Sequence, residues 1–214
     1  MSLNDGLVAY WSFENDLNEL VSGTGPDGGD KVTIVQDSKV GNGAAKFDGS
    51  ELSLDGALFY DLENVRMDEG EQWTYTLWLK TEDPDAGFIF GMSFSGEYVE
   101  GAKGLWLDDG LVNFDVSWVD GTGADIQVND NQWHNIAVSK GEEGLKIYVD
   151  GVLYTVASEI GWSSSEGTVT TIGTAIEAPD EGDWPGVYHG LIDDIRFYDY
   201  VLTDEEIANI YNGQ

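Results

Sequence analysis

Two carboxylates stand side by side at Asp193-Asp194, inside the apolar run Gly190-Leu191-Ile192-Asp193-Asp194-Ile195-Arg196-Phe197-Tyr198. Neighbouring acids of this kind could serve a hard cation, because calcium takes six to eight oxygens from carboxylates and backbone carbonyls. A second chemistry rests on tryptophan. Trp162 and Trp184 fall in polar, glycine-containing loops, Trp162-Ser163-Ser164-Ser165 and Glu177 to Gly186, the latter also carrying Asp180 and Asp183. An indole face stacks on the C–H face of a pyranose while nearby Asp, Asn or backbone groups take its hydroxyls, so both loops read as ligand loops. The competing reading is that each Trp plugs a loop onto the edge of the fold. Other chemistries find less. There is no cysteine, which excludes thiolate metal sites and thiol catalysis, and there are only two histidines, His134 and His189. Gly91-Met92-Ser93-Phe94-Ser95 misses the nucleophile-elbow pattern at its last residue and lacks the strand-to-helix setting. No phosphate-binding glycine loop, zinc spacing or EF-hand is present.

The elements that must position these residues are mostly strands. Leu7–Phe13, Ala44–Gly49, Leu52–Leu54, Trp73–Lys80, Trp133–Ser139 and Val169–Ile172 read as strands, several of them alternating. Asp109-Gly110 joins Leu105–Leu107 to Leu111–Trp118, and Asp150-Gly151 joins Leu145–Val149 to Val152–Val156, both as tight hairpins. The loops are expected at 15–43, 60–72, 82–103, 119–132, 157–167 and 174–189. One helix closes the chain: Thr203 and Glu206 have capping-box spacing, Leu202 and Ile207 flank it as a staple, and Gly213 marks its stop. Many strands and one terminal helix predict an all-β, two-sheet antiparallel sandwich.

Composition narrows the partners. The chain has 214 residues, with 41 Asp plus Glu against 9 Lys plus Arg and a formal net charge of -32. Nucleic acid and anionic membrane surfaces draw their affinity from Lys and Arg, so neither is an expected partner. Most of these acids read as a solvated shell suited to a salty, marine or halophilic habitat, and self-repulsion favours a monomer. The length suits one domain spanning 1–214 that can bury a core without disulfides. No stretch is long and apolar enough for direct membrane insertion. With no signal segment at the start, the chain reads either as cytosolic or as a domain cut from a longer exported protein, and a module of a secreted or cell-surface protein is the expected setting.

The pieces Val8–Phe13, Ala45–Gly49, Tyr75–Lys80, Trp133–Val138, Leu145–Val152 and Gly190–Tyr198, in this order, resemble the laminin-G-like, concanavalin A-like jelly-roll family over nearly the whole chain. The resemblance implies two curved sheets, frequent structural calcium, and roles in sugar binding, adhesion or glycan cleavage. It places one calcium among Glu14 or Asp16, Asp48 with the Gly49 carbonyl, and Asp193. Glu19 stands one residue off the family's usual acid before Ser22-Gly23. A second site is open to the acids Asp83, Asp85, Asp108, Asp109, Asp180 and Asp183. In the family's glucanase branch two catalytic carboxylates share a strand as Glu-x-Asp-x-Glu; here Glu14-x-Asp16-x-Asn18 lacks the second Glu, so no enzyme is expected. Trp11, Trp78 and Trp133 fall in family strand motifs and are expected in the core. Trp106, Trp118, Trp162, Asp180, Asp183 and Trp184 are the expected sugar contacts. The resulting expectation is a calcium-assisted lectin of a bacterial adhesin or polysaccharide-acting protein, with glycan as partner. A protein-binding or architectural module is the alternative.

Overall fold

The structure is a computed structural model, described over residues 5–49, 54–68, 70–93, 100–163, 169–174 and 186–213. In chain order its strands are β1 (Leu7–Trp11), β2 (Asp27–Gly28), β3 (Thr33–Val35), β4 (Ala44–Asp48), β5 (Leu58–Asp61), β6 (Trp73–Lys80), β7 (Gly87–Ser93) and β8 (Lys103–Asp108). They continue as β9 (Leu111–Val116), β10 (Asp120–Gln127), β11 (His134–Gly141), β12 (Gly144–Val149), β13 (Val152–Ala157), β14 (Val169–Ile172) and β15 (His189–Tyr198), before helix α1 (Asp204–Tyr211).

Two antiparallel sheets result. One runs β13-β12-β11-β6-β15-β4-β3, with β1 also on β15; the other runs β10-β9-β8-β7-β14-β5-β2. The expected sandwich and both Asp-Gly hairpins are present. Alternation explains which residues fill the space between sheets: on β9, Val112, Phe114 and Val116 are buried while Leu111, Asn113 and Asp115 are half-exposed. Trp11, Trp73, Tyr75, Phe90, Phe114 and Phe197 form the aromatic heart of that core. On the far face of the first sheet, α1 packs Ile207 and Ile210 against Ala137, Tyr148, Tyr198 and Leu202. The capping box forms as read: Glu206 N–H donates to Thr203 Oγ1, and Thr203 N–H donates to Glu206.

Three stretches expected as loops hold strands. β7 lies within 82–103, and every residue of it is buried; a strand covered on both faces has no alternation to betray it. β10 lies within 119–132 and is polar and mostly exposed, as an edge strand tends to be. β2 and β3 lie within 15–43. Trp118, expected as the end of a strand, sits instead in the turn after β9 at φ 62°.

β15 has an unusual set of neighbours. Its residues 189–192 pair with β4, its residues 195–198 pair with β1, and β6 runs along its other side. The change of partner falls at Asp193-Asp194, where the ladder with β6 is irregular and Asp194 takes φ 48°. The two acids noticed in the sequence therefore occupy the gap between β4 and β1.

Candidate functional site: a tryptophan-lined groove and a carboxylate-clamped loop

Two-residue turn geometry sets β8 against β9 so that Trp106 lies opposite Asn113 and Gly104 opposite Asp115. β10 then places Gly123 beside Asn113 and Gly121 beside Asp115. Glycines flanking Asp115 on both sides keep this face of the sheet low. Phe88, opposite Trp106 on β7, uses the same thinness: a Cβ on Gly104 would come within 2.5 Å of its ring. The result is a groove of about 520 Å³ whose polar and aromatic lining includes Trp106, Asn113, Asp115, Trp118, Asp120 and Thr122. Trp118 is 68% exposed. The Trp106 indole N–H is buried with no hydrogen-bond partner among the described residues.

Asp120 anchors one wall. Its two oxygens accept N–H bonds from Gly121 (2.9 Å) and Gly161 (2.7 Å). These bonds, the Gly161 one foremost, hold the carboxyl below its ordinary range.

Of the expected sugar contacts, Trp106 and Trp118 are thus brought together. Trp162 is not with them. Its ring stacks on Phe114 (6.3 Å, 13°) and leans on Trp73 (6.2 Å), its N–H donates to Met67 O (3.2 Å), and Lys140 lies 4.6 Å from its centroid. It plugs a loop onto the core. Asp180, Asp183 and Trp184 lie outside the described residues. Trp11 and Trp78 are buried as expected; Trp78 stacks on Tyr211 of α1 (5.6 Å) with Lys39 over its ring. Asn113, Asp115 and Asp120 were missed by sequence reasoning, yet the Asp109-Gly110 turn already pairs position 106 with 113.

The acids expected around a calcium do not converge as one set. Asp193 is fully buried, and its Oδ2 accepts N–H bonds from Lys39 and Val40, both 2.8 Å. Its Oδ1 is buried without a partner among the described residues. Burial, foremost, pushes its pKa up to about 7. Glu14 reaches the same loop, accepting the Asn42 N–H at 3.1 and 3.0 Å. Asp16 is exposed and caps Asn18 N–H in its own turn. Asp48 pairs with His189 in the ladder, with Gly49 against that His189 side chain. Four rungs, roughly 13 Å, separate that position from Asp193. Asp83 and Asp85 adjoin the Asp108-Asp109 turn through a Gly110 N–H bond to Pro84 O (2.7 Å). Among the described residues no three His, Asp or Glu side chains form a cluster able to hold a metal.

Glu19 has a different role. It is fully buried and accepts N–H bonds from Tyr10 (2.8 Å), Val21 (2.7 Å) and Ser22 (2.7 Å) and the Ser22 hydroxyl. It is the internal fastener of its loop.

His134 is also structural, lying between Asp150 (Nδ1, 2.9 Å) and Asp130 (Nε2, 3.1 Å). The Asp150 hydrogen bond leads the causes that raise its pKa. A raised histidine pKa contributes stability that is fully present below the unfolded value near 6.5 and is lost as pH rises through the folded one. The melting-temperature advantage of the parent over His134→Gln is therefore expected to shrink by roughly 2–4 °C between pH 6 and pH 9. A pH-independent difference would contradict the ion pairing.

The model of the concanavalin A-like lectin/glucanase superfamily (laminin G type) matches residues 55–208, more than half of the chain. The chain belongs to this superfamily. Curated proteins yield no sequence match. Among solved structures, the binding domain of Paraclostridial Mosquitocidal Protein 1 superposes with a TM-score of 0.72 at 13% identity, over 99% of this chain and 53% of that one. The ligand-binding domain of botulinum neurotoxin serotype D, in complex with N-acetylneuraminic acid, gives 0.72 at 18% identity, over 100% and 52%. Domain 4 of an extracellular arabinanase from Geobacillus stearothermophilus, in complex with arabinotriose, gives 0.71 at 18%, over 96% and 98%. The superfamily member described here thus spans about half the length of the toxin domains and nearly all of the arabinanase domain. At these identities the likeness is one of fold.

Proposed function

We propose that the chain is a non-catalytic, calcium-assisted carbohydrate-binding module that captures glycan reversibly in the groove over β8–β10. The observation that carries this reading is the meeting of Trp106 and Trp118 with Asn113 and Asp115 around one open groove. Aromatic faces supply stacking area, and the amide and carboxylate accept or donate to sugar hydroxyls. Sugar-bound neighbours of the same fold, one with arabinotriose and one with N-acetylneuraminic acid, support it. A secreted or surface parent protein, an adhesin or a polysaccharide-acting protein, suits such a module.

The state of Asp120 supports a binding role. Glycoside cleavage needs a carboxyl kept protonated to serve the leaving group, and Asp120 is held in the opposite state by two N–H donors.

The calcium of this reading would sit at the first-sheet gap rather than in the groove. Glu14 and Asp193 would hold it with backbone oxygens of the 38–43 loop, and the partnerless Asp193 Oδ1 is the group that fits. When bound, the ion would supply positive charge to a buried carboxylate. The protein's own residues then fix the loop against the β4–β1 gap.

Trp118→Ala is expected to leave folding intact and to weaken binding of the best oligosaccharide from a glycan array by about tenfold or more, roughly 1.4 kcal/mol. Undiminished affinity, measured by titration calorimetry, would remove the groove from the function. A protein-binding reading has its own observation: Val152, Tyr154 and Val156 are each about half exposed along edge strand β13. A blank array with folded protein would turn attention there.

A further inference from the structure

We infer that the groove selects neutral glycans and rejects those bearing carboxylates or sulfates. This rests on the carbohydrate reading and names the class of sugar. Asp115 and Asp120 both line the groove, and Asp120 is held ionised by the Gly161 and Gly121 N–H groups. A ligand carboxylate seated among them meets like charge, which costs affinity unless a cation intervenes.

Among the described residues the lining holds no Lys, Arg or His. All nine Lys and Arg of the chain fall within the described residues, so the remaining segments cannot bring one. Each is engaged or placed elsewhere. Arg66, Lys80, Lys146 and Arg196 sit on Asp68, Asp37, Glu143 and Asp194. Lys39 lies over Trp78, while Lys103 and Lys140 lie against Trp162. Lys103 is the nearest in sequence to the groove, on β8 itself, but it is buried opposite Val116, whose side chain joins the core, whereas Trp106 lies opposite Asn113. Lys46 is on β4 of the other sheet. The Lys31 N–H bonds Asp55 O beside β2 and β5, at the opposite edge of the second sheet from β10. The net charge of -32 sets the same sign at longer range.

The uncharged part of the lining suits hydroxyl-rich rings. Asn113 Nδ2 donates to Leu111 O (3.0 Å), which fixes the amide and leaves its oxygen an acceptor for a hydroxyl. A neutral pentose or hexose chain brings hydroxyl donors and C–H faces for the tryptophans without bringing charge.

The test is titration of the full chain with arabino-, xylo- and cello-hexaose and with hexagalacturonate and sialyllactose. Each runs in calcium and in chelator, the latter to remove any bridging ion, at about 20 mM and about 500 mM salt. The expected result is that at least one neutral hexaose binds, through Trp118, about tenfold or more tighter than either acidic ligand. That gap should narrow at high salt and in Asp115→Asn. Acidic ligands binding as tightly as neutral ones at low salt in chelator, and lost in Trp118→Ala, would overturn the selection and leave the carbohydrate reading standing. Folded protein that binds neither class would overturn that reading and the selection with it.

Discussion

Replacing Glu19 with alanine is expected to lower the melting temperature by roughly 10 °C, a large loss for a loop carboxylate. Glu19 is not on the surface at all: it is fully buried and serves three backbone N–H groups and one hydroxyl. Hydrogen bonds to a charged acceptor each contribute about 1.5–3 kcal/mol, and their removal leaves buried donors unpaired. Partial rescue by water brings the net to about 4 kcal/mol, and one kcal/mol shifts a domain of this size by about 2–4 °C. Glu19→Gln keeps the shape and one carbonyl acceptor, so it should fall between the two. The comparison is made by thermal unfolding in saturating calcium. A loss under about 1 kcal/mol would show that the 19–24 loop contributes little to the fold.

Asp193→Asn is expected to abolish the thermal stabilisation that calcium gives the parent, while leaving the calcium-free protein no less stable than the parent at neutral pH. An amide oxygen still accepts the Lys39 and Val40 N–H bonds, and a neutral NH2 replaces the partnerless oxygen. Burying an unpaired carboxylate is costly, so the amide relieves a burden that in the parent must be met by a proton or by a cation. Binding to the native state alone stabilises by about 2.7 kcal/mol at a hundred times the dissociation constant, so calcium should raise the parent by several degrees. Calcium shifting parent and variant equally would move the ion away from Asp193. No shift in the parent, compared with chelator, would dismiss structural calcium.

Local chemistry in the sequence was the legible part. Asp-Gly at 109–110 and 150–151 specifies two hairpins, and Thr203 with Glu206 specifies a helix start, because each signal is complete within a few residues. β7 was hidden because Gly87–Ser93 is covered on both faces and shows no alternation. β10 was hidden because its Asp, Gly and Thr residues resemble a loop. The acids illustrate the harder limit. Glu14 and Asp193 reach one loop and Asp48 another end of the ladder, and this depends on a register between segments about 140 residues apart. The groove lay between these cases. Trp106 and Asn113 are readable across a known turn, whereas Trp118 joins them only through a left-handed backbone at the hairpin tip. Trp162 misled because an aromatic in a serine-rich loop looks displayed, although its ring is stacked on Phe114.

The threefold neighbourhood of β15 has a bearing on how the protein is made. β15 separates β6 from β4 and β1, so the first sheet has no middle until residues 189–198 exist. During synthesis, β3 and β4 can pair with each other early, but β1 and the other side of β4 must wait for a partner roughly 140 to 190 residues further on, and contacts of such separation form slowly. β1 and β4 would each offer unpaired backbone to other chains in that interval. β15 is the strand that closes the sheet, and α1 follows directly behind it to cover Ala137 and Tyr148. A nascent chain in which β15 has not yet emerged would be unable to close the sandwich, however much of the sequence before it had.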